Sequence, residues 1–166
     1  MSPVSTFAPE LLECAERLVA LYRARRLALV TAESCTGGLV AGLITEIPGA
    51  SYVLERGFVT YSNRAKEEDL GVSPALLDRF GAVSPEVAQA MAEGALARSA
   101  AMIALAVTGI AGPDGGSAEK PVGLVHFGCG RAGAIKLVEK RYGNLGRRAI
   151  RLAAVATALD LLFAAA

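Results

Sequence analysis

Extended and helical patterns alternate up to about residue 108, and that order leaves few folds open to the chain. Residues 8–25 place Leu11, Ala15, Leu18, Val19 and Tyr22 at helical spacing, with Arg and Glu between them, which predicts an amphipathic helix. A strand is expected over about 27–32. The next segment, about 35–47, is apolar on most sides and contains Gly37, Gly38 and Gly42. That composition suits a buried helix that a neighbour approaches closely, ended by Pro48-Gly49. The run SYVLERGFVTYSN (51–63) has the β-branched and aromatic residues of a strand, with Gly57 as a bulge or a close backbone approach. RAKEEDLG reads as a short helix stopped by Gly71. SPALLDRFG and SPEVAQAMAEGALARS each open on Ser-Pro, a cap followed by proline in the first helical turn. MIALAVT (102–108) is a buried strand, and the loop GIAGPDGGSAEKP follows. VGLVHFGCG and AIKLVEKRY form a hairpin about Gly130 to Gly133, before a final helix from about Leu145 to Phe163. Early alternation with a late hairpin predicts one α/β domain spanning 1–166, a three-layer α/β/α sandwich on a mixed, mostly parallel sheet. After Arg151 the final helix is apolar nearly all round, more than one sheet face requires, which predicts a subunit contact and a homodimer.

Composition narrows the function. A length of 166 residues fits one domain, and 53% hydrophobic with 20% charged residues excludes a disordered chain. A net charge of +1 gives no electrostatic footprint for nucleic acid, and the absence of Trp argues against base-stacking surfaces. The N-terminus lacks a basic region followed by an apolar core, so no signal peptide is read there. The most apolar segment, Ala153 to Ala166, is shorter than the roughly 20 residues of a membrane span. A soluble, cytoplasmic protein is expected. Cys14, Cys35 and Cys129 form no CxxC pair, and one histidine cannot build a multi-histidine metal site. His126 lies in an apolar strand-like run and reads as a packing residue, which leaves a Ser-His-Asp triad without support. Neither metal nor organic cofactor is expected.

Chemistry concentrates in three clusters. TAESCTGG (31–38) sets Glu33, two adjacent nucleophile candidates (Ser34 and Cys35), Thr36 and the pair Gly37-Gly38 between apolar runs. The first amides of a helix lack internal partners and carry partial positive charge, so this turn suits an anion or oxyanion. Capping of the helix by Ser34 or Thr36 is the plainer alternative. The second cluster is Tyr61, Ser62, Asn63 and Lys66, where Lys66 alone reads as a solvated surface lysine. The third is VTGIAGPDGG (107–116), a buried strand running into a loop able to present backbone N–H groups. All three follow apolar strands, and in a partly parallel sheet they share one edge. A lysine desolvated at such an edge can lose its proton near neutrality and serve as base to a serine. The residues therefore point to acyl transfer or amide hydrolysis.

Together TAESCTGG, ERGFVTYSNRAK, GAVSPEVAQAMAEGA and TGIAGPDGGSAEKPVG closely resemble the C-terminal domain of the CinA (competence/damage-inducible) family, over roughly residues 10–163. Stand-alone members of that family are nicotinamide-nucleotide amidohydrolases. The resemblance implies hydrolysis of nicotinamide mononucleotide to nicotinate mononucleotide and ammonia, in pyridine-nucleotide salvage. By motif it implies Ser34 as nucleophile, Lys66 as its base and Tyr61 as a residue that orients the lysine or relays a proton. Amides of Cys35 and Thr36 are the expected oxyanion donors. Glu33, Gly37, Gly38, Asn63 and the segment Thr108, Gly109, Ile110, Ala111 and Gly112 are expected around the substrate. Family members often read Gly-Asp-Arg, three residues, then Arg near the C-terminus. Here Leu145-Gly146-Arg147 leads to Arg151, so both arginines remain as candidate substrate ligands while the acidic position is replaced. That replacement keeps a second reading open, a nucleotide-binding or regulatory module without turnover.

Overall fold

The computed structural model describes residues 6–166. The reading that the N-terminus carries no signal peptide falls partly on the five residues before these and lies outside the described residues. Helix α1 (Pro9–Ala24) leads into β1 (Leu29–Glu33), α2 (Leu39–Thr45), a single 3-10 turn (Ala50–Tyr52) and β2 (Leu54–Val59). Helices α3 (Asn63–Leu70), α4 (Pro74–Phe80) and α5 (Pro85–Ala97) then precede β3 (Ile103–Gly109), the hairpin β4 (Leu124–Arg131) and β5 (Ala134–Arg141), and α6 (Arg147–Ala165). The strands form one open sheet in the order β2-β1-β3-β4-β5. β1 pairs parallel with β2 and β3, and the two remaining pairings are antiparallel, so every strand but β4 runs the same way. This is the mixed three-layer sandwich that the alternation predicts.

Side chains alternate across each strand, and the two faces are built from different sizes. Leu29, Ile103, Leu105, Val107, Val125 and Phe127 point into a core under α1, α2 and α6. Val30, Ala32, Ala104 and Ala106 point to the other face, under α5. The small residues let α5 lie close: a Cβ added at Gly128 would come within 2.8 Å of the Ala88 carbonyl oxygen. On its far side α5 meets the end of α3 equally closely, and a side chain at Gly94 would collide with the backbone of Leu70. This contact fixes α3, which carries Lys66, against the sheet.

Three local expectations are refined. Gly57 marks a close approach: a Cβ there would lie 3.1 Å from Thr31 Oγ1 and 3.4 Å from Ala41 Cβ. The irregularity in the β1–β2 ladder falls earlier, where Leu29 pairs with Leu54 and Val30 with Arg56. Of the two Ser-Pro openings, Ser84 caps through its side chain, accepting from Val87 N at 3.2 Å, and Ser73 makes no such bond. The apolar excess of α6 is covered within the chain. It packs on α1 and α2 as well as on β3 and β4, and no large exposed hydrophobic lies on it. Leu152, Leu161 and Phe163 stay half-buried along it. No described helix is long and apolar enough to cross a membrane.

Candidate active site

The parallel registers bring three strand ends level. Glu33 of β1 pairs with Val59 on one side and Val107 on the other, so the next residues, Ser34, Thr60 and Thr108, emerge together. The ladder continues one bond further, from Ser34 N to Val107 O (2.9 Å) and from Thr60 N to Glu33 O (2.9 Å). The three polar clusters of the sequence therefore do share one edge, the carboxyl end of β1, β2 and β3.

Lys66 reaches this edge from the first turn of α3, whose N-cap Ser62 accepts from Ala65 N at 3.0 Å. Helical side chains lean toward the N-terminus, which carries the Lys66 amine back over the segment preceding its own helix. There Nζ lies 3.0 Å from Ser34 Oγ, 2.9 Å from Thr60 O and 3.4 Å from Tyr61 O. Lys66 is 1% exposed and Ser34 8%. The surface-lysine reading is thus wrong here, because the side chain turns back over the sheet edge rather than extending into water. Burial holds the Lys66 pKa below its ordinary 10.5, against an opposing influence from the Cys35 thiol.

The geometry assigns a direction to the hydrogen bond. A neutral amine has two N–H donors and one lone pair. The two carbonyls can only accept, so they take both donors and leave the lone pair facing the Ser34 hydroxyl. Once protonated, the same amine has three donors for three oxygens. The three oxygens thus suit both the neutral amine with its lone pair toward Ser34 and the cation.

Cys35 follows Ser34 in the same turn. It is buried, and burial pushes its thiol up to about 12, against the smaller influence of its own backbone N–H. Thiolate, the nucleophilic form, is scarce at neutral pH. A Cβ at Gly109 would sit 3.1 Å from its sulfur, so the thiol fills a tight space between β1 and β3.

A cleft of about 260 Å³ opens over the pair. Among the expected residues Ser34, Cys35, Tyr61, Lys66, Thr108, Gly109, Ile110, Ala111, Gly112 and Arg147 line it. Ala82, Val83, Asp114 and Gly115 line it as well and are missing from the sequence-derived set. The first two arrive because Thr108 Oγ1 donates to Ala82 O at 2.7 Å, drawing in the turn after α4. Their signal was the motif GAVSP, which carries no polar chemistry of its own. A larger cleft, of about 500 Å³, lies at the other end of the sheet around Met102 and Gly133. No serine, cysteine or histidine lines it, so size is a poor guide here.

Several expected substrate ligands face elsewhere. Glu33 is fully buried behind the turn, where its side chain accepts from Thr36 Oγ1 (2.7 Å), Val40 N (2.9 Å) and Ala41 N (3.0 Å). It therefore caps α2 from inside the chain, replacing the Ser34 or Thr36 cap, and it occupies the helix amides that an anion would need. Oxyanion donors must come from the turn itself. No carbonyl among the described residues accepts from the amides of Cys35 or Thr36. Thr36, Gly37 and Gly38 form the back of that turn, and Gly37 (φ +59°) supplies the left-handed conformation it requires. Asn63 is exposed on the outer side of α3, off the cleft wall.

The hydroxyl of Tyr61 does not meet the lysine. It accepts from Arg147 Nη2 at 2.7 Å, and only the Tyr61 carbonyl reaches Lys66. Arg147 also donates to Gly112 O at 2.8 Å, bridging two walls of the cleft. Arg151, one helical turn on, lies off the cleft and donates to Cys35 O and Thr36 O, both at 3.0 Å.

Fold and site together define an α/β protein with an enclosed serine–lysine pair at the carboxyl edge of its parallel strands. Residues 11–166 match the CinA C-terminal domain, and the chain belongs to that family. It is 48% identical over 149 residues to a protein of Enterobacter agglomerans named nicotinamide-nucleotide amidohydrolase PncC, covering 89% of this chain and 90% of that one. It is 58% identical over 116 residues to a CinA-like protein of Chlorobium phaeovibrioides, covering 70% of this chain but only 27% of that much longer relative. The solved structure of the competence/damage inducible protein CihA from Agrobacterium tumefaciens superposes with a TM-score of 0.94 at 54% identity, over 97% of this chain and 98% of that one.

Proposed function

We propose that the protein is an amidohydrolase that deamidates nicotinamide mononucleotide to nicotinate mononucleotide and ammonia through a Ser34 acyl-enzyme. The observation that carries this reading is the buried Lys66 amine 3.0 Å from Ser34 Oγ, with two backbone carbonyls ordering its protons. Similarity over nearly full length to the Enterobacter amidohydrolase supports the substrate.

Neutral Lys66 takes the proton as Ser34 Oγ adds to the carboxamide carbon, giving a tetrahedral oxyanion and a lysine ammonium. The ammonium returns that proton to the departing nitrogen, and ammonia leaves. Water then adds to the ester, passing one proton to Lys66. Collapse expels Ser34, which recovers its hydrogen, and releases the carboxylate. The turn amide of Cys35, which lines the cleft, holds both oxyanions, and one such donor is worth roughly 3–4 kcal/mol in the transition state. Arg147 uses two donors on the protein, and its remaining N–H groups are free for the substrate phosphate.

Incubation of the pure protein with nicotinamide mononucleotide, with ammonia as readout, tests the reaction. Turnover is expected in the wild type and in Cys35→Ala, with Ser34→Ala reduced on the order of 10⁴-fold or more. Binding of the nucleotide without ammonia release would favour a silent regulatory module, and a dead Cys35→Ala beside an active Ser34→Ala would reverse the nucleophile.

A further inference from the structure

Arg151 makes two 3.0 Å bonds across 116 and 115 positions of sequence, and both end on carbonyls of the nucleophile turn. A trans peptide is planar, with its C=O and N–H pointing in opposite directions. Anchoring Cys35 O on the guanidinium therefore turns the N–H of Thr36 to the opposite side. Anchoring Thr36 O does the same for the N–H of Gly37, which is found donating to Ser34 O at 3.0 Å. That bond in turn holds the Ser34–Cys35 peptide, so the N–H of Cys35, which has no backbone acceptor, points to the opposite side.

We propose that Arg151 is a positioning residue for the oxyanion: by gripping both carbonyls it fixes the turn that Gly37 N–H closes on Ser34 O, so that the N–H of Cys35, which lines the cleft, faces the charge that develops on the carboxamide oxygen. The inference rests on the amidohydrolase reading above and adds the group that builds its electrostatic hole. A full positive charge behind the turn also raises the positive potential at its donors. The planar fork suits this grip, since its Nε and one Nη meet two successive carbonyls at equal distance. A side chain at residue 37 would crowd the arrangement, as its Cβ would lie 3.2 Å from Arg151 Nη2. Arg147 and Arg151 of α6 divide the work: Arg147 faces the cleft, and Arg151 supports the turn from behind.

The test is steady-state hydrolysis of nicotinamide mononucleotide by Arg151→Met and Arg151→Lys, with thermal melting of each. Arg151→Met is expected to lose about 100-fold in kcat with KM nearly unchanged, the loss typical of one oxyanion donor. Arg151→Lys keeps the charge but not the fork, so it is expected to recover part of that loss. A second readout is inhibition by pyridine-3-boronic acid, whose tetrahedral adduct with Ser34 would place an oxygen in the hole. Its affinity is expected to fall in parallel with kcat, while binding of the product nicotinate mononucleotide holds steady. A rise in KM alone would make Arg151 a substrate ligand, and wild-type kcat in both variants would make it a structural tie; either result overturns the proposal and leaves the amidohydrolase reading standing. Absence of ammonia from the wild type itself would remove the reaction, and the oxyanion role with it.

Discussion

Two buried titratable side chains sit at different places against the same sheet, and only one has a hydroxyl within hydrogen-bond reach. Lys66 lies over the carboxyl edge of the parallel strands; His126 lies on β4, in the antiparallel half. Burial is the largest cause holding each pKa below its ordinary value. Lys66 has a hydroxyl and two carbonyls within 3.4 Å. The nearest partner of His126 is Glu139, with Nε2 3.9 Å from a carboxylate oxygen, beyond hydrogen-bond reach. A depressed pKa records desolvation. What separates a catalytic base from a packed one is an acid placed where the lone pair points.

The largest effect expected from this contrast is on Lys66. Lys66→Met removes the lone pair and is expected to lower kcat by about 10²–10⁴-fold. Lys66→Arg keeps a cation that cannot deprotonate and is expected to be equally inactive, whereas a merely electrostatic role would spare it. Near-normal single-turnover rates for either variant would remove the lysine from the mechanism.

A smaller, graded effect follows from pH. In the wild type, kcat/KM is expected to rise as Lys66 deprotonates and to level off below 10.5, the ordinary lysine value. Stability should move in the same direction. Between the lowered folded pKa and 10.5 the unfolded chain binds the additional proton, so unfolding becomes harder as pH rises through that window. Lys66→Met should flatten this part of the stability profile, measured by urea unfolding at stepped pH. An unchanged slope would mean that some other group carries it.

The fold was legible because its signals are periodic and local. Alternating strand and helix patterns fixed the layers, and apolar runs such as 103–107 could only be strands covered on both faces. The edge shared by Ser34, Lys66 and Thr108 followed from strands that had to be parallel. What stayed hidden depends on direction. No spacing rule tells that the Glu33 side chain turns inward to cap α2, or that Arg151 reaches the back of a turn more than a hundred residues away. Lys66 sits among Arg64, Glu67, Glu68 and Asp69, a solvated helix by composition, and its burial comes from tertiary packing, with α3 held close on α5 at Gly94. Ala82 and Val83 were missed because a wall needs no reactive group.

The smallest effect is expected at His126. It lies between Glu139, Lys120, Arg141 and Glu86, whose charges push its pKa in opposing directions. It is 5% exposed, and its charged neighbours lie away from the serine–lysine pair: the nearest charged partner is Glu139 at 3.9 Å. His126→Gln, close in volume and unable to ionise, should leave hydrolysis near the wild-type rate at all pH values. Its signature belongs to stability alone. Because the folded imidazole is held below 6.5, the unfolded chain gains a proton first as pH falls, and the wild type loses stability from about 6.5 down through the folded pKa. One proton cannot give a slope steeper than about 1.4 kcal/mol per pH unit. The variant should lack that acid loss, read from urea midpoints on either side of 6.5. Should His126→Gln instead abolish turnover while folding normally, the antiparallel half would hold a base the reaction needs, and the distinction between the two halves of the sheet would fail.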